Sequence, residues 1–204
     1  VRIPGSTSTI SAAPGIPGSS VVGGQNPIVP FGPVLDGWKS IGDVRLLLDV
    51  LHPLSDALPV VLQIDIPWDA TGEVGVLNEG WWGIDVRPQT YNASFFMLAN
   101  GARYNKTLTG INLSLRSNLT DDVWAKTTIP LDPTTVPTFD YEQYHASIVN
   151  EVKAPNSNNT FAITFNADEV RGETFYFGLI SLFPETYNNR PNGLRKDLAE
   201  GIKR

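Results

Sequence analysis

Carboxylates, Glu79, Asp85, Glu169 and Glu185 among them, are the side chains suited by type to acid–base chemistry in this 204-residue chain. Hydrolysis of a glycosidic bond needs two such groups facing each other, one as acid and one as nucleophile or base. No spacing among the four singles out a pair, so no catalytic residue is assigned. His52 and His145 lie far apart, neither in a metal-ligand spacing, and no G-x-S-x-G elbow supports a serine nucleophile. The chain has no cysteine, which removes thiolate catalysis, disulfides and Cys-ligated zinc. It also lacks a phosphate-cradling glycine loop, so neither a metal nor an organic cofactor is expected.

Aromatic residues offer a different chemistry. A sugar ring has an apolar C–H face that stacks on a flat side chain, and neighbouring polar groups then orient its hydroxyls. In NEGWWGIDV, residues 78–86, strand alternation sends Trp82, Ile84 and Val86 to one face and Trp81, Gly83 and Asp85 to the other. The Ile/Val side is the natural core face. That leaves Trp81 outward, with Asp85 and Glu79 beside it as hydrogen-bonding carboxylates, and these three are the candidate carbohydrate-binding residues. Trp81 packed under a loop is the equally weighted structural reading. Trp38, Trp68 and Trp124 flank turns, where they could serve as platform or lid, and are read first as packing residues.

A second pattern concerns modification. Asn92-Ala-Ser, Asn105-Lys-Thr, Asn112-Leu-Ser, Asn118-Leu-Thr and Asn158-Asn-Thr are all N-glycosylation acceptors by sequence. Five so close together favour a secreted, extracellular glycoprotein over coincidence. The net charge of −6 argues against a nucleic-acid partner, because phosphate binding needs clustered Lys and Arg. No apolar run reaches the ~18 residues of a membrane span, and Val1 opens no signal peptide, as expected of a mature or trimmed product.

The elements that must position these residues are strands. With 41% hydrophobic and 18% charged residues the chain can build a core. Residues 1–35 stand apart: rich in Gly, Pro, Ser and Thr, with Arg2 their one charge, they read as a tail or linker. Over 36–190, eight short runs rich in β-branched and aromatic residues (44–50, 59–68, 81–86, 93–99, 111–117, 145–152, 160–167 and 174–183) are separated by turn residues. Ile111, Leu113 and Leu115 share one face, as do Phe161, Ile163 and Phe165. This predicts an all-β, antiparallel jelly-roll sandwich rather than βαβ units. Residues 191–204 read as an amphipathic helix with Leu194, Leu198 and Ile202 in one stripe and Asn192 as N-cap, folded back on the sandwich or facing another chain.

Several segments carry a resemblance: DGWKSIGD (36–43), PLSDALP (53–59), TGEVGVLNEGWWGIDV (71–86), YNASFFM (91–97) and ISLFPETYNNRPNGLRKDLAE (180–200). From about Leu35 to Lys203 the chain resembles the N-terminal, carbohydrate-binding-module-like β-sandwich of fungal α-L-arabinofuranosidases of glycoside hydrolase family 51. The resemblance implies a plant-cell-wall context and ancestry, with the C-terminal stripe leading towards an early helix of the catalytic barrel. It transfers no catalytic residue: the G-x-x-F-E-D-like, F-R-F-P-G-G and G-N-E contexts of the family are absent from the sequence. The expected function is therefore non-catalytic binding of a polysaccharide such as arabinoxylan. The alternatives are a structural or assembly glycoprotein, associating with itself or a protein partner through its tail or C-terminal helix, and a piece of a longer arabinofuranosidase. The foreign tail before Leu35 counts against simple truncation, and the closing Lys203-Arg204 pair suits processing.

Overall fold

A computed structural model describes residues 35–102, 104–190 and 194–202. Ten strands follow in chain order: β1 (Trp38–Ile41), β2 (Arg45–Asp49), β3 (Val61–Asp65), β4 (Glu73–Asn78), β5 (Gln89–Ala99), β6 (Gly110–Ser117), β7 (Val123–Pro130), β8 (Glu142–Asn150), β9 (Asn159–Asn166) and β10 (Thr174–Pro184). Two short α-helices, α1 (Ala167–Val170) and α2 (Lys196–Ile202), and a 3-10 turn at Tyr187–Asn189 complete the described elements. The strands form two antiparallel five-stranded sheets, ordered β1-β4-β9-β6-β7 and β2-β3-β10-β5-β8. The chain is an all-β sandwich, as its alternation predicts.

The core lies between the sheets and follows the pleat. Ile111, Leu113 and Leu115 of β6 are fully buried, and Phe161, Ile163 and Phe165 of β9 lie beside them. Phe165 reaches across the sandwich to stack on Phe175 of β10, with ring centroids 4.9 Å apart, and Phe177 meets Phe95 of β5 at 5.8 Å. Burying each such ring stabilises the fold by roughly 1.5–3 kcal/mol. Close sheet pairing also constrains sequence: a Cβ on Gly75 of β4 would fall 2.2 Å from the carbonyl oxygen of Ile163.

Three sequence expectations change. Residues 81–86 form no strand; they belong to a loop between β4 and β5. The pleat that would turn Trp82 inward therefore does not exist, and Trp82 is 86% exposed while Trp81 is 72% exposed. The C-terminal helix is real, but its stripe is not buried on the sandwich: Leu194, Leu198 and Ile202 all remain at least half exposed. Lys196 instead tethers it through an ion pair with Glu185. The tail before Leu35, the N-cap at Asn192 and the final basic pair lie outside the described residues.

Candidate carbohydrate-binding site

The loop after β4 begins where that strand's last residue turns the chain. Asn78 pairs with Trp38 of β1, and its Oδ1 accepts the N–H of Gly80 at 2.8 Å, an Asx turn that lifts the backbone out of the sheet. The Glu79 N–H donates to the Gly37 carbonyl at 2.8 Å. Trp81 and Trp82 follow at the apex, edge to face, with centroids 6.3 Å apart and planes at 84°. Together with Asp36, Asn78 and Glu79 they line an open cleft of about 500 Å³.

The return leg is anchored. Ile84 N–H donates to the Asn159 carbonyl at 3.2 Å, and Asn159 Nδ2 donates to the Ile84 carbonyl at 2.8 Å. Val86 is fully buried, and its carbonyl accepts from Ala154. The buried Tyr91 hydroxyl accepts from Arg87 N–H at 2.8 Å and donates to the Asp85 carbonyl at 3.2 Å. Two solvent-facing indoles are thus mounted on a backbone fixed at both ends, which limits the ordering cost of binding.

The three candidate residues do not all meet. Glu79 joins Trp81 in the cleft, half-buried and ion-paired with Lys39, and its Oε1 also accepts from Asn118 Nδ2 at 2.8 Å. Asp85 lies beyond Gly83, ion-paired with Arg87 at 2.6 Å, where it lines a separate cavity of about 330 Å³ with Tyr91, Glu185 and Lys196. The other carboxylates are engaged elsewhere: Glu169 Oε2 accepts from the Thr109 N–H and hydroxyl, and Glu185 holds Lys196. Among the described residues no group of His, Asp and Glu is arranged to hold a metal ion.

Sequence reasoning missed the exposure of Trp82, because aromatic-rich loops and strands share a composition. It also missed Asp36, Lys39 and Asn118, which only the β1–β4 and β6–β9 pairings bring near Glu79. The remaining tryptophans are structural to different degrees. Trp124 Nε1 donates to Asn159 Oδ1 at 2.7 Å, and Trp38 packs on the core. Trp68 is largely exposed, with its ring over Gly172, where a Cβ would meet it at 2.4 Å.

The sheet faces compete less well as sugar platforms. On the outer face of the first sheet, Arg116 bridges to Glu73 and Ser114, and the Thr164 hydroxyl donates to Glu73. The Arg116 contact holds the Glu73 carboxyl below its ordinary range. On the second sheet a hollow of about 540 Å³ is lined by Asn92, Ser94, His145, Ser181 and Phe183, and offers one phenyl ring beside the smaller imidazole.

No family model matches the chain. It is 34% identical over 176 residues to α-L-arabinofuranosidase A of Aspergillus niger, covering 86% of this chain and 26% of that protein. A probable α-L-arabinofuranosidase A of Aspergillus terreus is 33% identical over 171 residues, with 84% and 26% covered. The arabinose-bound MgGH51 α-L-arabinofuranosidase superposes with a TM-score of 0.74 at 34% identity, over 82% of this chain and 26% of that one. The chain thus spans about a quarter of the length of the relatives it matches.

Proposed function

We propose, from the premise that this chain is a homologue of the fungal α-L-arabinofuranosidases of glycoside hydrolase family 51 over one β-sandwich segment, that it is a secreted, non-catalytic binder of plant-cell-wall polysaccharide such as arabinoxylan. The observation that carries this reading is the exposed Trp81–Trp82 pair beside the Glu79 carboxylate. The indoles supply stacking faces in two planes, so they suit successive or branching sugar units that are rotated against one another. Glu79, with acceptor capacity beyond its bonds to Lys39 and Asn118, takes hydroxyl donors. Asp85 comes into play only for a ligand long enough to pass Gly83. The net negative charge fits a neutral polysaccharide better than an anionic one.

Calorimetry with soluble arabinoxylan tests the reading. Trp81→Ala and Trp82→Ala should each weaken binding at least tenfold while shifting the melting temperature little, since both side chains face solvent. Non-glycosylated wild-type protein that ignores arabinoxylan, or variants that bind it unchanged, would overturn it. Purified protein should also release no arabinose from the polymer.

One observation favours a second reading, that the sandwich serves within a longer arabinofuranosidase: Leu194, Leu198 and Ile202 present an apolar stripe away from the sandwich. A reading frame that continues beyond Arg204 into a barrel sequence would establish it.

A further inference from the structure

Asn118 and Asn158 are neighbours across the end of the β6–β9 ladder, one step beyond the Ser117–Asn159 pair. Asn118 N–H donates to the Asn158 carbonyl at 3.0 Å, and Asn118 Nδ2 donates to Asn158 Oδ1, also at 3.0 Å. The same Nδ2 donates to Glu79 Oε1, in the wall of the tryptophan cleft. Each asparagine heads its own acceptor motif, Asn118-Leu-Thr and Asn158-Asn-Thr. We propose that these two sequons form a single glycosylation site that carries one glycan per folded molecule, and that this glycan is an intramolecular ligand of the Trp81–Trp82 cleft.

The chemistry is ordinary N-glycosylation. A carboxamide Nδ2 loses one hydrogen as a proton and bonds the anomeric carbon of an N-acetylglucosamine, and the lipid pyrophosphate of the donor departs. Two carboxamides already in hydrogen-bond contact would crowd two pyranose rings against each other, which disfavours a second glycan in the folded state. A sugar on Asn118 also removes one of the two Nδ2 hydrogens that now serve Glu79 and Asn158, so the cleft wall is altered chemically as well as crowded. Tethering does the rest. A glycan fixed within a few bonds of Glu79 has an effective concentration in the ~mM range, enough to compete with a free sugar that binds weakly by stacking. Regulation of the cleft by its own glycan rests on the proposed sugar-binding reading; the one-glycan assignment does not.

The test uses protein secreted from a eukaryotic host. Asn118 and Asn158 fall on different tryptic peptides, so their fractional occupancies can be measured separately and should sum to no more than one. Thr120→Ala, which destroys the first sequon and keeps Asn118, should raise occupancy at Asn158. A sum clearly above one, no glycan at either position, or an unchanged Asn158 after Thr120→Ala would overturn the assignment. For the cleft, Thr120→Ala/Thr160→Val and, independently, Asn118→Gln/Asn158→Gln should bind arabinoxylan at least fivefold more tightly than the glycosylated parent. Equal affinity would overturn the self-ligand role. Variants that fold yet bind no polysaccharide would overturn that role and the sugar-binding reading together, while leaving the occupancy result to stand.

Discussion

A Cβ placed on Gly83 would lie 2.0 Å from the carbonyl oxygen of Ser157. Gly83 has φ +84°, a backbone region that side chains disfavour, and it presses against the β8–β9 loop immediately before Asn158. This contact is what lets the tryptophan loop lie across the end of the sandwich instead of continuing as a strand. It joins the two indoles to the Asn118–Asn158 pair through one short stretch of backbone.

Gly83→Ala should therefore cost at least about 1–3 kcal/mol from backbone strain alone, with more from displacement of the 157–158 segment. Urea unfolding measures the loss. An unchanged midpoint would show that the loop does not depend on this approach.

Asn159 closes the same junction from inside. It is 1% exposed, and its Nδ2 donates to the Ile84 carbonyl at 2.8 Å and to the Asn156 carbonyl at 2.7 Å, while its Oδ1 accepts the Trp124 indole N–H at 2.7 Å. Asn159→Ala leaves one half-buried donor and two acceptors without their partner, at about 1–3 kcal/mol each where water cannot replace it. A total loss near ~3 kcal/mol is expected by thermal or chemical unfolding. Asn159→Asp should not rescue it, because one carboxylate oxygen would face the Ile84 and Asn156 carbonyls, acceptor against acceptor, in a buried site. Rescue to full stability would mean that the two donated bonds are dispensable.

Thr160 offers the opposite sign. Its hydroxyl is buried and has no hydrogen-bond partner among the described residues. In non-glycosylated protein, replacing it with a methyl in Thr160→Val should raise stability by up to about 1 kcal/mol, since the desolvated hydroxyl returns nothing for its burial. A lower melting temperature would reveal a bond to that hydroxyl.

Legibility in the sequence followed burial. The alternation in INLSLRS located β6 and its core face because one side of that strand meets only apolar neighbours. β7, VWAKTTIP, escaped notice because it is a half-exposed edge strand whose polar and apolar residues mix. β1 is four residues long, and β4 is interrupted by the glycine that β9 requires. WWGIDV failed in the other direction: its composition is that of a strand, but Gly83 and the Asx turn at Asn78 send it across the sandwich end. Glu79 beside Trp81 was legible from adjacency. Lys39 and Asn118 were not, because strand pairing alone brings them there. The same misreading made Trp82 a core residue, and Trp82→Ala is now expected to leave folding nearly intact.

Glu173 is 1% exposed, immediately before β10. Its Oε1 accepts the Asn105 N–H at 2.7 Å, whereas its Oε2 is buried with no hydrogen-bond partner among the described residues. Burial pushes its pKa up from 4.5 to about 7, and the Asn105 bond offsets only part of that rise. Between these two values the folded protein binds more protons at this site than the unfolded chain, so stability must fall as pH rises. The contribution is fullest below about 4.5, declines towards about 7 and is flat above it. Glu73 acts in the opposite sense: the Arg116 bond lowers its pKa below 4.5, so its contribution is present above that value and is lost as pH falls through the lower folded one. Glu173→Gln keeps an oxygen for Asn105 and abolishes the titration. It should match the wild type near pH 4.5 and exceed it at pH 8 by something on the order of 2–3 kcal/mol. Urea midpoints collected across that range provide the check, and parallel wild-type and variant profiles from pH 4.5 to 8 would show that Glu173 holds its proton no more strongly in the folded state than in the unfolded chain.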